Sequence, residues 1–423
     1  MVRTDHAMAK TPRRATPKGK GRKAASSARK ASAKKATKRA TPKSVKKSAA
    51  KDPKQANDSS LVQAQEGKIV LAHNVGSHLV GASLTRHPLV FSRDSKMCFC
   101  VQGLVVRVIA VKTGLTVGVL SGHTARVTSI AVNPSNEFQL LSASLDGTIK
   151  AWDYVDAVCL RQWDLARPVY NLTPIAGIPS TVALVFSGRS SIVDDAETGT
   201  SPGGKSDAPA AWTVVPFDMK THRLYDAKAI KLKSDALPAP RVRGATLVVA
   251  DGNSLYLWHL NRGLCETVHH SQQITAVSIH PREGVISVGD ASGKITNIYC
   301  LTPAAANDDG EVETSIVSMD IEDVKHTTIH EPITSVYHWH SHAVLSLSHC
   351  TDESYLLSGG SEGVLVQWEQ QQRKPEFLPR LGGSILHISS GPSSELYGVC
   401  CSDNSVVLIS STSRKELWRI RGL

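Results

Sequence analysis

The chain has 423 residues, with 49 Lys and Arg against 37 Asp and Glu, a formal net charge of +12 and 5% aromatic residues. The averages are those of ordinary globular material, but residues 1–60 hold 19 Lys/Arg, 3 Asp/Glu and no Phe, Trp or Tyr, which leaves 30 basic and 34 acidic side chains for residues 61–423. The basic character therefore belongs to the N-terminal segment. No stretch approaches the roughly 18 consecutive apolar residues of a membrane span, and the first 30 residues lack the apolar segment of a secretory signal.

Residues 1–60 alternate Lys and Arg with Ala, Ser, Thr and Pro, so they can bury almost nothing to offset the entropy of ordering. A disordered cationic tail is expected. Spaced cations on a flexible chain can follow a phosphate backbone by releasing counterions, without reading sequence. The candidate nucleic-acid-binding residues are Arg13, Arg14, Lys18, Lys20, Arg22, Lys23, Lys34, Lys35, Lys38, Arg39, Lys46 and Lys47. The paired clusters among them also fit a nuclear import signal.

From residue 88 onward the chain reads as short runs rich in Val, Ile, Leu and Thr, separated by Gly, Asp, Ser and Asn turns. The clearest unit spans residues 122–163. VTSIAV, FQLLSAS, TIKAWDY and AVCLRQW read as four consecutive strands, opening after Gly-His and carrying Trp-Asp on the third. At a period of about 40 residues, which is that of propeller blades, six further units of uneven quality precede or follow this one. Together they give an all-β, seven-bladed propeller over residues 61–423, with polar insertions near residues 188–210 and 302–315. Blade four is expected over residues 244–263 with no obvious first strand, blade five over 274–300 and blade six over 333–369.

In the clearest unit His123, Ser142 or Ser144, Asp146 and Trp152, with Asp153 after it, stand where propeller blades keep a hydrogen-bonded structural set. A catalytic reading of this His/Asp/Ser combination is disfavoured because the same residue types staple blades. His338, His340 and His342 alternate, which on one strand would present three imidazoles at zinc-binding separation. An exposed or hydrogen-bonded face is the expected reading, and no metal, cofactor or small-molecule substrate is assigned. Eight scattered cysteines show no C-x-x-C pair and are expected to be reduced, small buried hydrophobes. Arg86, Arg93, Arg126, Arg161 and Arg167 recur near predicted loop or strand ends, where such residues can anchor an acidic partner or phosphates. No enzymatic activity is expected.

Residues 90–103, 133–154 and 356–389 carry phrases specific beyond blade grammar, among them LSASLDGTIKAWDY, LVQWE and EFLPRLGG. They resemble WD40-repeat proteins of one particular group, the nucleolar scaffold subunits of the UTP-A subcomplex of the small-subunit processome. The resemblance implies a nuclear, nucleolar protein acting in ribosome biogenesis and small-subunit rRNA processing. The implied partners are other UTP-A WD-repeat and helical proteins, 5′ external transcribed spacer pre-rRNA and the U3 snoRNP. Family members also carry a second propeller and a C-terminal helical region outside the part matched by this sequence. A chromatin-associated WD40 adaptor with a DNA-binding tail is the alternative reading, resting on tail composition and fold alone.

Overall fold

The computed structural model describes residues 83–188, 212–301, 325–369 and 374–422. Thirty strands among them form seven sheets. Blade one is Val90–Phe91, Met97–Gln102, Val105–Ala110 and Thr116–Leu120, paired in that order. Blade two is Val127–Val132, Gln139–Ser144, Thr148–Asp153 and Val158–Asp164. Blade three is Asn171–Pro174, Thr181–Ser187, Trp212–Asp218 and the short outer segments Arg223–Leu224 and Ile230–Leu232. Blade six is Val344–His349, Tyr355–Gly360, Leu365–Glu369 and Pro375–Phe377, and blade seven is Ile385–Ser390, Leu396–Cys401, Ser405–Ser410 and Glu416–Arg421. The fold is the all-β, seven-bladed propeller read from the sequence. The tail and both polar insertions lie outside the described residues.

Successive side chains of a strand point to opposite faces of its sheet, so a blade between two neighbours must bury both faces. Met97–Gln102 shows this directly. Cys98 and Cys100 join an apolar cluster with Cys400, Val406 and Leu408 of blade seven, while Phe99 and Val101 pack with Val127, Leu140 and Trp152 of blade two. The same division recurs at every junction, giving seven apolar clusters, one between each pair of adjacent blades. Polar side chains on the inner strands add directional bonds across the junctions. Thr128 sits at a β-bulge and donates to the Val169 carbonyl of blade three at 2.7 Å. Thr275, at the equivalent bulge of blade five, donates to the Val344 carbonyl of blade six at 2.6 Å.

Two boundaries differ from the sequence reading. Blade four has a first strand, Arg241–Arg243, followed by Thr246–Asp251, Ser254–His259 and Leu264–His269. That first strand has only 3 residues, too few to show a period. Blade five consists of Ile274–Ile279, Val285–Asp290, Lys294–Tyr299 and Ile333–His338, so residues 333–338 complete blade five instead of opening blade six. Between them Lys325–Thr328 pairs in parallel with Leu264–His269 as a fifth strand on blade four. Chain that leaves blade five thus crosses to blade four before returning, a non-local pairing with no periodic signature.

Blades one and seven form separate sheets and share no strand. Their junction is closed by side chains. Leu84, Leu89 and Phe91 pack on Cys400, Val406 and Leu408, with Trp418 and Ile420 at the border. Leu84 N–H donates to Asn404 Oδ1 at 2.7 Å, and Trp418 Nε1 donates to the Val111 carbonyl at 2.8 Å. The fit leaves no spare room, since a β-carbon on Gly398 would lie 2.5 Å from Leu89 Cδ1. Gly398→Val is expected to cost about 1–3 kcal/mol of stability by overpacking. Adding Leu89→Ala should cost less than the sum of the two single changes, because the truncation makes room for the valine. Chemical denaturation of the three variants measures this, and strict additivity would refute the contact.

Candidate functional site: blade relays, clefts and related proteins

The polar residues singled out in blade two come together at its junction with blade one. Trp152 Nε1 donates to Ser142 Oγ at 2.8 Å, Ser142 lies 2.8 Å from His123 Nε2, and His123 Nδ1 lies 2.9 Å from Asp146 Oδ2. With the indole donating to the hydroxyl, the hydroxyl donates to Nε2 and the ring carries its proton on Nδ1 toward the carboxylate. Asp146 also accepts the Thr124 and Thr148 amides and the Thr148 hydroxyl. Ser142, not Ser144, is the relay serine; Ser144 donates to the Ala125 carbonyl at 2.9 Å. Asp153 stands apart, accepting the Val155 amide at 2.9 Å at the following turn.

A second relay, which the sequence reading missed, lies between blades five and six. Trp368 Nε1 donates to Ser358 Oγ at 2.8 Å, Ser358 lies 2.8 Å from His340 Nε2, and Glu362 Oε2 lies 3.3 Å from His340 Nδ1. His340 therefore is not one of three imidazoles on a strand face. The strand ends at His338, His340 is buried, His342 is exposed, and the carboxylate serving both His340 and the His342 amide comes from 20 or more residues downstream. Among the described residues no group of three or more metal-ligating side chains forms. The signal lay in spacing: serine follows histidine by 19 and 18 residues in the two relays, and the acid by 23 and 22, with Glu replacing the usual Asp.

At blade five the pattern is altered. The residue ten positions after Ser287 is Asn297, where Ser142 and Ser358 have tryptophans. Ser287 Oγ donates to Asn297 Oδ1 at 2.6 Å, and His349 Nε2 approaches the same hydroxyl at 2.9 Å. This Ser–His pair is buried, and its hydroxyl hydrogen is committed to Asn297, so it replaces the relay and exposes no nucleophile. Beside it opens a cavity of about 840 Å³ between blades five, six and seven, bordered by Glu283, Asp352, Glu353 and Glu369. Two further strings match catalytic patterns on paper. Residues 199–206, GTSPGGKS, fit the phosphate-binding G-x-x-x-x-G-K-[ST] pattern. They lie outside the described residues. Residues 359–363, GGSEG, fit G-x-S-x-G, but Gly359 and Gly360 end a strand and the turn that follows supplies Glu362 to the second relay.

The five arginines noted in the sequence diverge. Arg93 pairs with Glu137 at 3.8 Å; Arg167 pairs with Asp226 at 2.9 Å and covers the Phe186 ring; Arg161 is exposed on the outer strand of blade two. Arg86 and Arg126 lie near enough to His87 to lower its pKa, after burial and His387. The twelve candidate nucleic-acid-binding residues of the tail lie outside the described residues. All eight cysteines are free thiols, six of them buried.

The relays make stability depend on pH in a defined direction. Burial, opposed by Asp146, lowers His123 below its ordinary 6.5; burial, opposed by Glu362, does the same to His340; burial and then His280 lower His349 to about 3. Burial pushes Asp146 and Glu362 up, but hydrogen bonds outweigh it and hold both at about 2. A depressed histidine binds fewer protons folded than unfolded, so its stabilising contribution is complete above about pH 6.5 and declines as pH falls toward its folded value. The depressed carboxylates act in the same direction at lower pH, from about 4 down to 2. The denaturation midpoint is expected to be flat above pH 7 and to fall continuously from pH 6.5 to below 4; a midpoint unchanged down to pH 4 would contradict the relay geometry. Ser142→Ala, which strands both the indole and the imidazole, is expected to cost about 1–3 kcal/mol at neutral pH, measured the same way.

A family model described as WD repeat-containing protein 75 first beta-propeller matches residues 90–195 and 323–404, which take in the whole of blades one, two and six. Human WD repeat-containing protein 75 is 30% identical over 337 residues, 78% of this chain and 37% of the human protein. U3 small nucleolar RNA-associated protein 17 of Schizosaccharomyces pombe is 24% identical over 351 residues, 82% of this chain and 40% of that protein. A shorter match, 45% over 62 residues, links 14% of the chain to NET1-associated nuclear protein 1 of Saccharomyces cerevisiae. The chain thus spans well under half the length of these relatives. It belongs to the WD40-repeat family, and its propeller resembles the first propeller of WD repeat-containing protein 75.

Proposed function

We propose that this chain is a non-catalytic scaffold subunit of the nucleolar small-subunit processome, within its UTP-A subcomplex, acting in small-subunit rRNA processing and transcription. The observation that carries the reading is a similarity that runs along most of the chain to a relative named for its association with U3 small nucleolar RNA. The internal chemistry is consistent with it. The His, Ser and acidic side chains arranged in catalytic-looking sets are consumed in holding blades together. The loop faces vary without disturbing the core, which suits protein partners. The partners of this reading are other UTP-A WD-repeat and helical proteins and, through U3 snoRNP surroundings, pre-rRNA of the 5′ external transcribed spacer.

The cationic tail, including Arg13, Arg14, Lys34, Lys35, Lys46 and Lys47, would add a sequence-independent hold on the RNA backbone and raise its local concentration at the propeller. Crosslinking followed by sequencing of bound RNA should recover the 5′ spacer. Deleting residues 1–60 should weaken RNA retention more than assembly with protein partners, and the tail-dependent part should fall about 10³- to 10⁵-fold between low and moderate salt if six to ten phosphates are met. Recovery of nucleosomes in place of pre-ribosomal particles would overturn the assignment.

A further inference from the structure

We propose that the central channel of the propeller is a binding site for a small polyphosphate anion, with Arg241 as its principal ligand and Arg86, His87, Arg126 and His387 around it. Seven inner strands surround the channel: VF, VTSIAV, NLTP, RVR, ITAVSI, VLSLSH and ILHISS, in blade order. None contains Asp or Glu, whereas the arginines of the fourth strand and the histidines of the last two are basic. Arg241 lines two adjoining cavities, one of about 290 Å³ shared with Pro88 and Ser389 and one of about 250 Å³ shared with His387 and Ser346. Its Nε donates to the Val277 carbonyl at 3.2 Å, which fixes the side chain and leaves the terminal nitrogens for a ligand. Among the described residues neither Arg241 nor Arg126 forms an ion pair with a carboxylate. Asp251, beside the second cavity in sequence, already accepts the Lys233 and Ser234 amides.

The two histidines are tied to the same place by the segment that carries Arg86. His387 Nε2 donates to the Arg86 carbonyl at 3.0 Å, and the Nε2 atom of the adjacent His87 is buried without a hydrogen-bond partner. Burial, then the neighbouring His387, Arg86 and Arg126, lower His87 to about 3. Burial together with Arg241 lowers His387 against the opposing bond to the Arg86 carbonyl. The two histidines are thus held toward their neutral form by burial and by cations of like sign, the mark of a positive potential around them. Guanidinium groups match phosphate oxygens in a bidentate fork, and several cations around one space favour a multiply charged anion over a single carboxylate. Cavities of 250 and 290 Å³ admit a phosphate or a short polyphosphate, not a duplex.

The test is histidine-selective carbon NMR of the full chain titrated with pyrophosphate at constant ionic strength. This readout separates the channel from phosphate captured by the basic tail. The His87 and His387 signals should shift saturably, and Arg241→Met should weaken that response about tenfold or more. Without pyrophosphate the variant should unfold at a midpoint no lower than the parent, because it removes a cation from a cluster of cations. Arg126→Met, from another blade, should weaken the response in the same direction. Shifts absent from His87 and His387, or titration of both variants like the parent, would overturn the site. Displacement of pyrophosphate from the channel histidines by a short single-stranded RNA, but not by inositol hexakisphosphate, would overturn the small-anion assignment in favour of an RNA phosphate.

Discussion

Each blade is a thin sheet with apolar side chains on both faces, and it is stable only when a neighbour covers each face. That requirement makes the ring closed or nothing, because an open arc would leave two terminal sheets with one bare side apiece. Here the last junction is made without a shared strand. Leu84, Leu89 and Phe91 on one side meet Cys400, Val406 and Leu408 on the other, and Trp418 seals the edge through its indole bond to Val111. Burial of roughly ten side chains at such a junction, at about 1.5–3 kcal/mol each before entropy is charged, is what keeps the arc closed.

Within that frame the polar residues act as locks on blade position. In two places a tryptophan, a serine, a histidine and an acid are bonded in series, which makes burying four polar groups tolerable and fixes the distance between inner and outer strands. Where the tryptophan becomes Asn297, the lock is rebuilt with His349 from the next blade, and a cavity opens beside it. The replacement shows that the requirement is satisfaction of the buried serine rather than a fixed residue set.

Much of this was legible in the sequence because two signals agreed: alternation within strands and the blade-length repeat between them. Blade two was read strand by strand for that reason. The features that escaped are those in which a local signal is absent or misleading. Arg241–Arg243 is too short to show alternation, and Lys325–Thr328 pairs with a strand that precedes the first three strands of blade five in the chain. Ile333–His338 looks like the start of a new unit because an insertion separates it from its own sheet. HWHSH read as a strand because histidines alternated, whereas His340 belongs to a relay whose serine and acid lie 18 and 22 residues on. The arginines near strand ends were visible, but only closure of the ring sets the Arg86 carbonyl against His387 of blade seven.

The proposed scaffold role depends on the ring behaving as one body. Native-state hydrogen exchange measures that most directly. If the junction between blades one and seven closes the ring by packing, the amides of Met97–Gln102 and Ser405–Ser410 should open with the same free energy as those of blades three to five. Exchange of either strand through a separate opening, more than about 2 kcal/mol below the rest, would mean that the ring is an arc whose ends only touch.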